Sequence, residues 1–108
     1  MNTAIALTGN TRSSKLSKHF GRCSWFCLVN DATGEIGWME NPGLLVEGCK
    51  AGPIVSRLIL NNVNRVISGD FGTNVQQLLN KHHIQMIIHP DETVKADTLI
   101  KLMMQQKK

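Results

Sequence analysis

The chain has 108 residues, 42% of them hydrophobic, and a formal net charge of +4. This length suits one hydrophobic core, so we expect a single domain over residues 1–108. No apolar run approaches the ~20 residues that a membrane span needs, and the N-terminus lacks a secretory pattern, which predicts a cytoplasmic protein. The three cysteines are an odd number at low density, which disfavours a disulfide framework and leaves thiol or metal chemistry open.

The first half of the chain predicts three strands. Residues 4–7 form a short apolar run typical of a strand that is buried on both faces. Residues 24–30 and 35–40 flank a segment whose Asp31 and Gly34 suit a tight hairpin turn, so the second and third strands should pair with each other in antiparallel fashion. We expect the hairpin strands to run antiparallel to the first. The polar, basic segment 10–18 offers no apolar stripe to bury, which predicts a mobile loop.

The second half predicts three helices that alternate with two strands. Pro53 suits the first position of a helix, residues 63–68 and 84–88 form apolar strands, and a third amphipathic helix is expected from Thr93. The predicted fold class is therefore α/β, with a five-stranded mixed sheet, flanking helices and the order β-β-β-α-β-α-β-α. Ligands of such sheets usually bind beyond the carboxyl ends of parallel strands, here the loops 9–18, 68–74 and 89–93.

One short segment, residues 17–23, combines a histidine, a cysteine and two cations immediately before a strand. His19 and Cys23 carry the side chains that ligate soft or borderline metals. Lys18 and Arg22 would neutralise an anionic cluster or lower the pKa of Cys23. The alternative is that His19 hydrogen-bonds within the loop and that Cys23 is a small buried residue.

The other cysteines and a further histidine are assessed separately. Cys49 precedes the first helix, where free amides favour anions, so it is either a second thiolate ligand or a small residue at a crowded turn. Cys27 would lie ~13 Å from Cys23 along an extended strand, too far for both to bind one ion, and we expect it in the core. His89 is a weaker ligand candidate at a strand's carboxyl end.

Three segments also resemble the dinitrogenase iron-molybdenum cofactor biosynthesis family: His19-Phe20-Gly21-Arg22-Cys23, the turn 68–72 followed by Asn74, and residues 31–35. The resemblance extends from residue 4 to about residue 102 and implies a ribonuclease-H-like fold. It implies that His19 holds the cofactor and adds Gly69, Gly72 and Asn74 as cofactor-binding residues. Two positions depart from the family: Thr73 stands where proline is frequent, and Asp70 where asparagine is common. The Asp70 carboxylate is expected to repel a bound anion.

These observations favour a binding or carrier protein for an anionic metal-sulfur cluster, an iron-molybdenum cofactor or a related Mo, Fe or Cu cluster, over an enzyme. The implied partners are a cluster donor or acceptor protein. The alternative is a nucleic-acid-binding or nuclease-like domain. Two-metal phosphoryl chemistry needs clustered carboxylates, however, and the first strand carries none. Aromatic residues make up only 5% of the chain, which leaves few surfaces on which bases could stack.

Overall fold

The computed structural model describes residues 2–45 and 51–105. The regular elements follow the chain as β1 (Asn2–Leu7), β2 (Trp25–Asn30), β3 (Ile36–Glu40), α1 (Ala51–Leu60), β4 (Arg65–Ser68), α2 (Thr73–Lys81), β5 (Gln85–Ile88) and α3 (Ala96–Gln105). Two short 3-10 helices, Phe20–Arg22 and Pro42–Leu45, lie in the connections. Among these helices none has the length and apolar character that crossing a membrane requires.

The five strands form one mixed sheet in the order β3-β2-β1-β4-β5. β2 pairs antiparallel with β1 and with β3, while β4 pairs parallel with β1, and β5 with β4. The five-stranded mixed sheet is thus confirmed, but the direction predicted for β3 is wrong. Because β3 is antiparallel to β2, it runs in the same direction as β1.

The sheet buries both of its faces. Along β1, Ala4 and Ala6 join the core under α1 and α2, whereas Ile5 and Leu7 join the core under α3. These four side chains are fully buried, as predicted for a strand covered on both sides. Cys27 is also fully buried and belongs to the α3 side, which confirms its predicted place in the core.

Two helices begin at positions other than those predicted. α1 begins at Ala51, so Pro53 is its third residue. Proline has no N–H to donate, and the first turn tolerates this because the amides there have no intrahelical partner. α3 begins three residues after Thr93, because the hydroxyl and amide of Thr93 both donate to the Asp91 carboxylate and close a separate turn.

The segment 10–18 makes contacts that its composition did not predict. Leu16, which the prediction overlooked, is 1% exposed, and its amide donates to the carbonyl of Val94 over 2.9 Å. The first two amides of α3 donate to the carbonyls of Ser14 and Arg12 at 2.8 and 2.9 Å. The segment therefore caps α3 and packs into the core through one side chain.

Candidate binding site

The three loops predicted to form a site meet at the carboxyl ends of β1, β4 and β5. The carbonyl of Ser17 accepts from the Gly69 amide at 3.0 Å and from the Ser68 hydroxyl at 3.4 Å. The His89 amide donates to the carbonyl of Ser68 at 3.0 Å, which connects the third loop to the second. Main-chain hydrogen bonds thus fix the relative positions of all three loops.

A cavity of about 280 Å³ opens between the first two loops and the start of α2. Its lining residues come from the 3-10 turn after His19, from the β4–α2 turn and from the first turn of α2: His19, Phe20, Gly21, Arg22, Asp70, Gly72 and Val75. The structure therefore brings together His19, Arg22 and Gly72, three of the residues that the sequence predicts for the site.

Phe20 anchors the wall that carries the polar residues. Its ring lies 5.2 Å from the rings of both Phe26 and Phe71, centroid to centroid, and the side chain is 1% exposed. Its amide donates to the carbonyl of Asp70 at 3.1 Å. Since Phe20 is fixed in the core, its neighbour His19 is held at the surface beside the cavity, with 51% of its side chain exposed.

His19 and Asp70 face each other across the cavity. The imidazole Nδ1 lies 3.8 Å from Asp70 Oδ2, and Asp70 Oδ1 accepts the Phe71 amide at 2.8 Å. The expectation that Asp70 only repels an anion is thus incomplete, because its charge lies beside an imidazole and a backbone N–H.

The cations predicted for the site differ in position. Arg22 is exposed and lines the cavity, where its guanidinium would balance an anion. Lys18 lies outside the lining, and its ammonium is 3.7 Å from Glu92 Oε1. Arg22 therefore lies nearer to the cavity than Lys18 and is the cation that supplies positive charge there. α2 adds to it, because the amino end of a helix favours anions and the first turn of α2 carries no acidic residue.

A family model described as "Dinitrogenase iron-molybdenum cofactor" matches residues 1–106. The chain belongs to this family. Membership of the iron-molybdenum cofactor family fits a role in metallocluster biosynthesis.

The fold matches two solved structures over nearly the whole chain. The apo form of the orange protein from Desulfovibrio gigas has a TM-score of 0.86 and 16% identity, covering 98% of this chain and 88% of its own. A NifB-like protein of the DUF35 family from Thermotoga, solved by NMR, has a TM-score of 0.78 and 20% identity, covering 98% of this chain and 88% of its own. At identities this low, the two matches show a common fold and nothing further. No curated protein matches the chain.

The glycines that the family resemblance implicates have distinct structural roles. A β-carbon on Gly69 would lie 2.9 Å from Lys18 Cα, so Gly69 allows the two loops to approach and does not line the cavity. Gly72 is the N-cap of α2 and lines the cavity. Asn74 is exposed in the first turn of α2, outside the lining residues.

Cys23 lies in the core and not at the site, which argues against its predicted role as a metal ligand. The residue is 1% exposed and packs in the core cluster that contains Phe20 and Phe26. Burial raises the pKa of its thiol to about 12, which disfavours the thiolate that a soft metal binds. Cys49, the other predicted thiolate ligand, lies outside the described residues.

Sequence reasoning missed Asn41, which is 1% exposed and fixes the turn before β2. Its Nδ2 donates to the carbonyls of Cys23 and Gly21 at 2.8 and 3.2 Å, and its Oδ1 accepts the Gly43 amide at 2.8 Å. The Asn-Pro dipeptide at 41–42 is a turn signal that pointed to this position. The asparagine thus supports the segment that carries Arg22 and Cys23.

His89 is held by its own turn. Its Nδ1 accepts the Asp91 amide at 3.2 Å, and the residue lines an apolar cleft beside α3, not the cavity of His19. Within residues 2–45 and 51–105, no group of three or more His, Cys, Asp or Glu side chains has an arrangement that could hold a metal ion. Among the described residues that line the cavity, His19 and Asp70 are the two with metal-ligating side chains, and His19 is the one that offers the borderline donor preferred by soft metals.

Proposed function

We propose that this chain is a non-enzymatic carrier. It holds a preformed, anionic metal-sulfur cluster of the iron-molybdenum cofactor type beside His19 and passes it between a donor and an acceptor protein. The observation that carries the proposal is a half-exposed imidazole on the wall of a cavity whose other groups include a guanidinium and the amino end of a helix. We also propose that the fold is ribonuclease-H-like and forms one domain.

The set of donors fits a preformed cluster better than a bare ion. A bare zinc ion in a protein takes three or four protein ligands, and the described residues around the cavity contribute one imidazole. A cluster brings its own sulfides and needs only its open coordination positions filled. His19 would supply one such ligand through Nε2, while the Arg22 guanidinium and the α2 amides would offset the cluster's negative charge.

The size and openness of the site suit transfer. At about 280 Å³ the cavity is close to the lower end of the ~300–1,000 Å³ that small-molecule sites occupy. Because the side chain of His19 is 51% exposed, a partner protein can reach the ligand without unfolding the carrier. A single protein ligand also gives a bond that an acceptor with more ligands can displace.

The nuclease-like alternative lacks support in the described residues. Two-metal hydrolysis needs carboxylates gathered around the ions, and Asp70 is the one acidic residue that lines the cavity.

The test compares the wild-type protein with His19→Ala under anaerobic conditions, using isolated iron-molybdenum cofactor as the probe. Each protein is incubated with the cofactor and passed through gel filtration, and retained molybdenum and iron are measured. His19→Ala should lose most of the bound metal while its free energy of unfolding changes by less than ~0.5 kcal/mol, because the side chain is half-exposed.

His82→Ala serves as the matched control, since His82 is exposed at the opposite end of α2. It should retain cofactor like the wild type. Full metal retention by His19→Ala, or global unfolding of that variant, would refute the assignment of His19 as the ligand.

A further inference from the structure

We infer that Asp70 is a positioning residue for His19. Its carboxylate holds the imidazole in the tautomer that carries its proton on Nδ1, so that the lone pair of Nε2 is free for the metal. This inference rests on the proposed role of His19 as the ligand, and it adds a second residue that determines how strongly the site binds.

One hydrogen bond orients the Asp70 carboxylate, whose side chain is 60% exposed, and two others hold the main-chain carbonyl of the residue. Its Oδ1 accepts the Phe71 amide at 2.8 Å, and its main-chain carbonyl accepts the Phe20 amide at 3.1 Å and the Ser68 hydroxyl at 3.0 Å. Three hydrogen bonds thus set the position of the residue. Oδ2 is the atom that faces the imidazole, 3.8 Å from Nδ1.

A carboxylate oriented beside one ring nitrogen selects between the two tautomers of a neutral imidazole. An ionised carboxylate only accepts hydrogen bonds, so it attracts an N–H and repels a nitrogen lone pair. The 3.8 Å separation exceeds a hydrogen bond, and the attraction at this distance is electrostatic. Histidines that bind metals usually donate their second ring N–H to such a carboxylate, carbonyl or water, and the pairing fixes both tautomer and ring orientation.

Asp70→Asn reverses this electrostatic preference with little change in shape. The asparagine oxygen keeps the hydrogen bond from the Phe71 amide, so the amide nitrogen takes the position of Oδ2. That nitrogen is a donor, and it favours a lone pair on Nδ1 of His19 with the proton on Nε2. The variant therefore shifts the proton toward the atom that would ligate the metal. Because asparagine is common at this position in the family, the variant also tests whether Asp70 makes this site bind more tightly than the family's usual residue would.

The first readout uses the protein without any cluster. Long-range proton–nitrogen correlation spectra of ¹⁵N-labelled protein report which ring nitrogen of each histidine carries the proton. They are recorded about two pH units above the ~6.5 of an ordinary imidazole. The wild type should show His19 protonated on Nδ1, and Asp70→Asn should shift the population toward Nε2.

Glu92→Gln is the matched control, because it removes one negative charge from a neighbouring loop where Glu92 faces Lys18 and not His19. It should leave the His19 tautomer unchanged. A wild-type His19 protonated on Nε2, or the same tautomer ratio in the wild type and Asp70→Asn, would overturn the inference.

The second readout is the affinity for isolated iron-molybdenum cofactor. Asp70→Asn should weaken binding about 10-fold, the lower end of the effect of losing a hydrogen-bonded partner, because the contact here is 3.8 Å long; Glu92→Gln should not weaken it. If His19→Ala abolishes binding and Asp70→Asn changes neither readout, the positioning role is wrong while the carrier proposal stands. If His19→Ala has no effect on binding, the assignment of His19 as the ligand fails, and the tautomer spectra still decide whether Asp70 orients His19.

Discussion

The main chain of Gly69 passes so close to Lys18 that a β-carbon on Gly69 would lie 2.9 Å from Lys18 Cα and 3.0 Å from Lys18 O. The contact joins the loop after β1 to the turn after β4. These two strands are parallel neighbours in the sheet. The glycine that the sequence places in the binding loop therefore acts by bringing that loop against the segment that carries His19.

Gly69→Ala should lower the free energy of unfolding by about 1–3 kcal/mol, because backbone atoms cannot move aside as flexible side chains can. It should also weaken cofactor retention by separating the two loops. Chemical denaturation and the gel-filtration assay measure the two effects. Gly37→Ala in β3 is the control, since a β-carbon there comes no closer than 4.0 Å to a neighbour and the residue does not line the cavity. Equal stability of the two variants would show that the loops can separate at no cost.

Cys23→Ser should destabilise the protein and leave cluster binding intact, the reverse of what a ligand role predicts. A serine hydroxyl in this apolar core is polar and costs about 1–3 kcal/mol if it finds no partner. Urea denaturation gives the first quantity and metal retention by the folded variant gives the second. Ser24→Ala, at the exposed neighbouring position, is the control. Loss of metal by a fully folded Cys23→Ser would restore the thiol as a ligand.

Stability should fall steeply at alkaline pH because of the two buried thiols. Burial raises the pKa of Cys23 to about 12 and that of Cys27 to about 11, from an ordinary value of 9.0. Their stabilising contribution is complete below pH 9 and is lost as the pH rises toward 11–12, because the unfolded chain releases protons that the folded chain retains. The chain has no tyrosine to titrate in this range.

Urea denaturation at intervals between pH 8 and pH 11 measures this loss. All proteins carry Cys49→Ala so that the third thiol does not contribute. Cys27→Val should flatten the decline, at most by ~1.4 kcal/mol per pH unit for one thiol. An identical decline in stability with and without Cys27→Val would mean that Cys27 ionises as easily in the folded state as in the unfolded state.

Amide exchange should divide the segment 10–18 into two parts. The amides of Leu16 and Ser17 donate to the carbonyls of Val94 and Ala6 at 2.9 and 2.8 Å, and both residues are buried, so they should exchange slowly. The exposed Arg12 should exchange faster. Hydrogen–deuterium exchange followed by NMR resolves the individual amides. Uniformly fast exchange would support the mobile loop that composition alone predicts.

The hydrophobic periodicity of the sequence predicted the parts of the fold that depend on residues close together in the chain. Apolar runs and helical spacing located the strands and helices, and the carboxyl-end rule brought His19 and Gly72 to one cavity. The orientation of Cys23 could not be predicted in this way. It depends on a 3-10 turn that is fixed by the packing of Phe20 on Phe71, 51 residues away, and by the amide of Asn41. The same distant contact places Asp70 beside His19.

The parallel pairing of β1 with β4, which places Ala4 beside Val66, has a consequence for folding. His19 and Asp70 follow these two strands, so the cavity between them exists only after segments about sixty residues apart in sequence have paired. Long-range pairing of this kind forms slowly, because the intervening chain must lose entropy before the contact is gained. Under the proposed carrier function, a nascent or partly unfolded chain therefore lacks the site for the cluster, and loading is restricted to molecules that have completed folding.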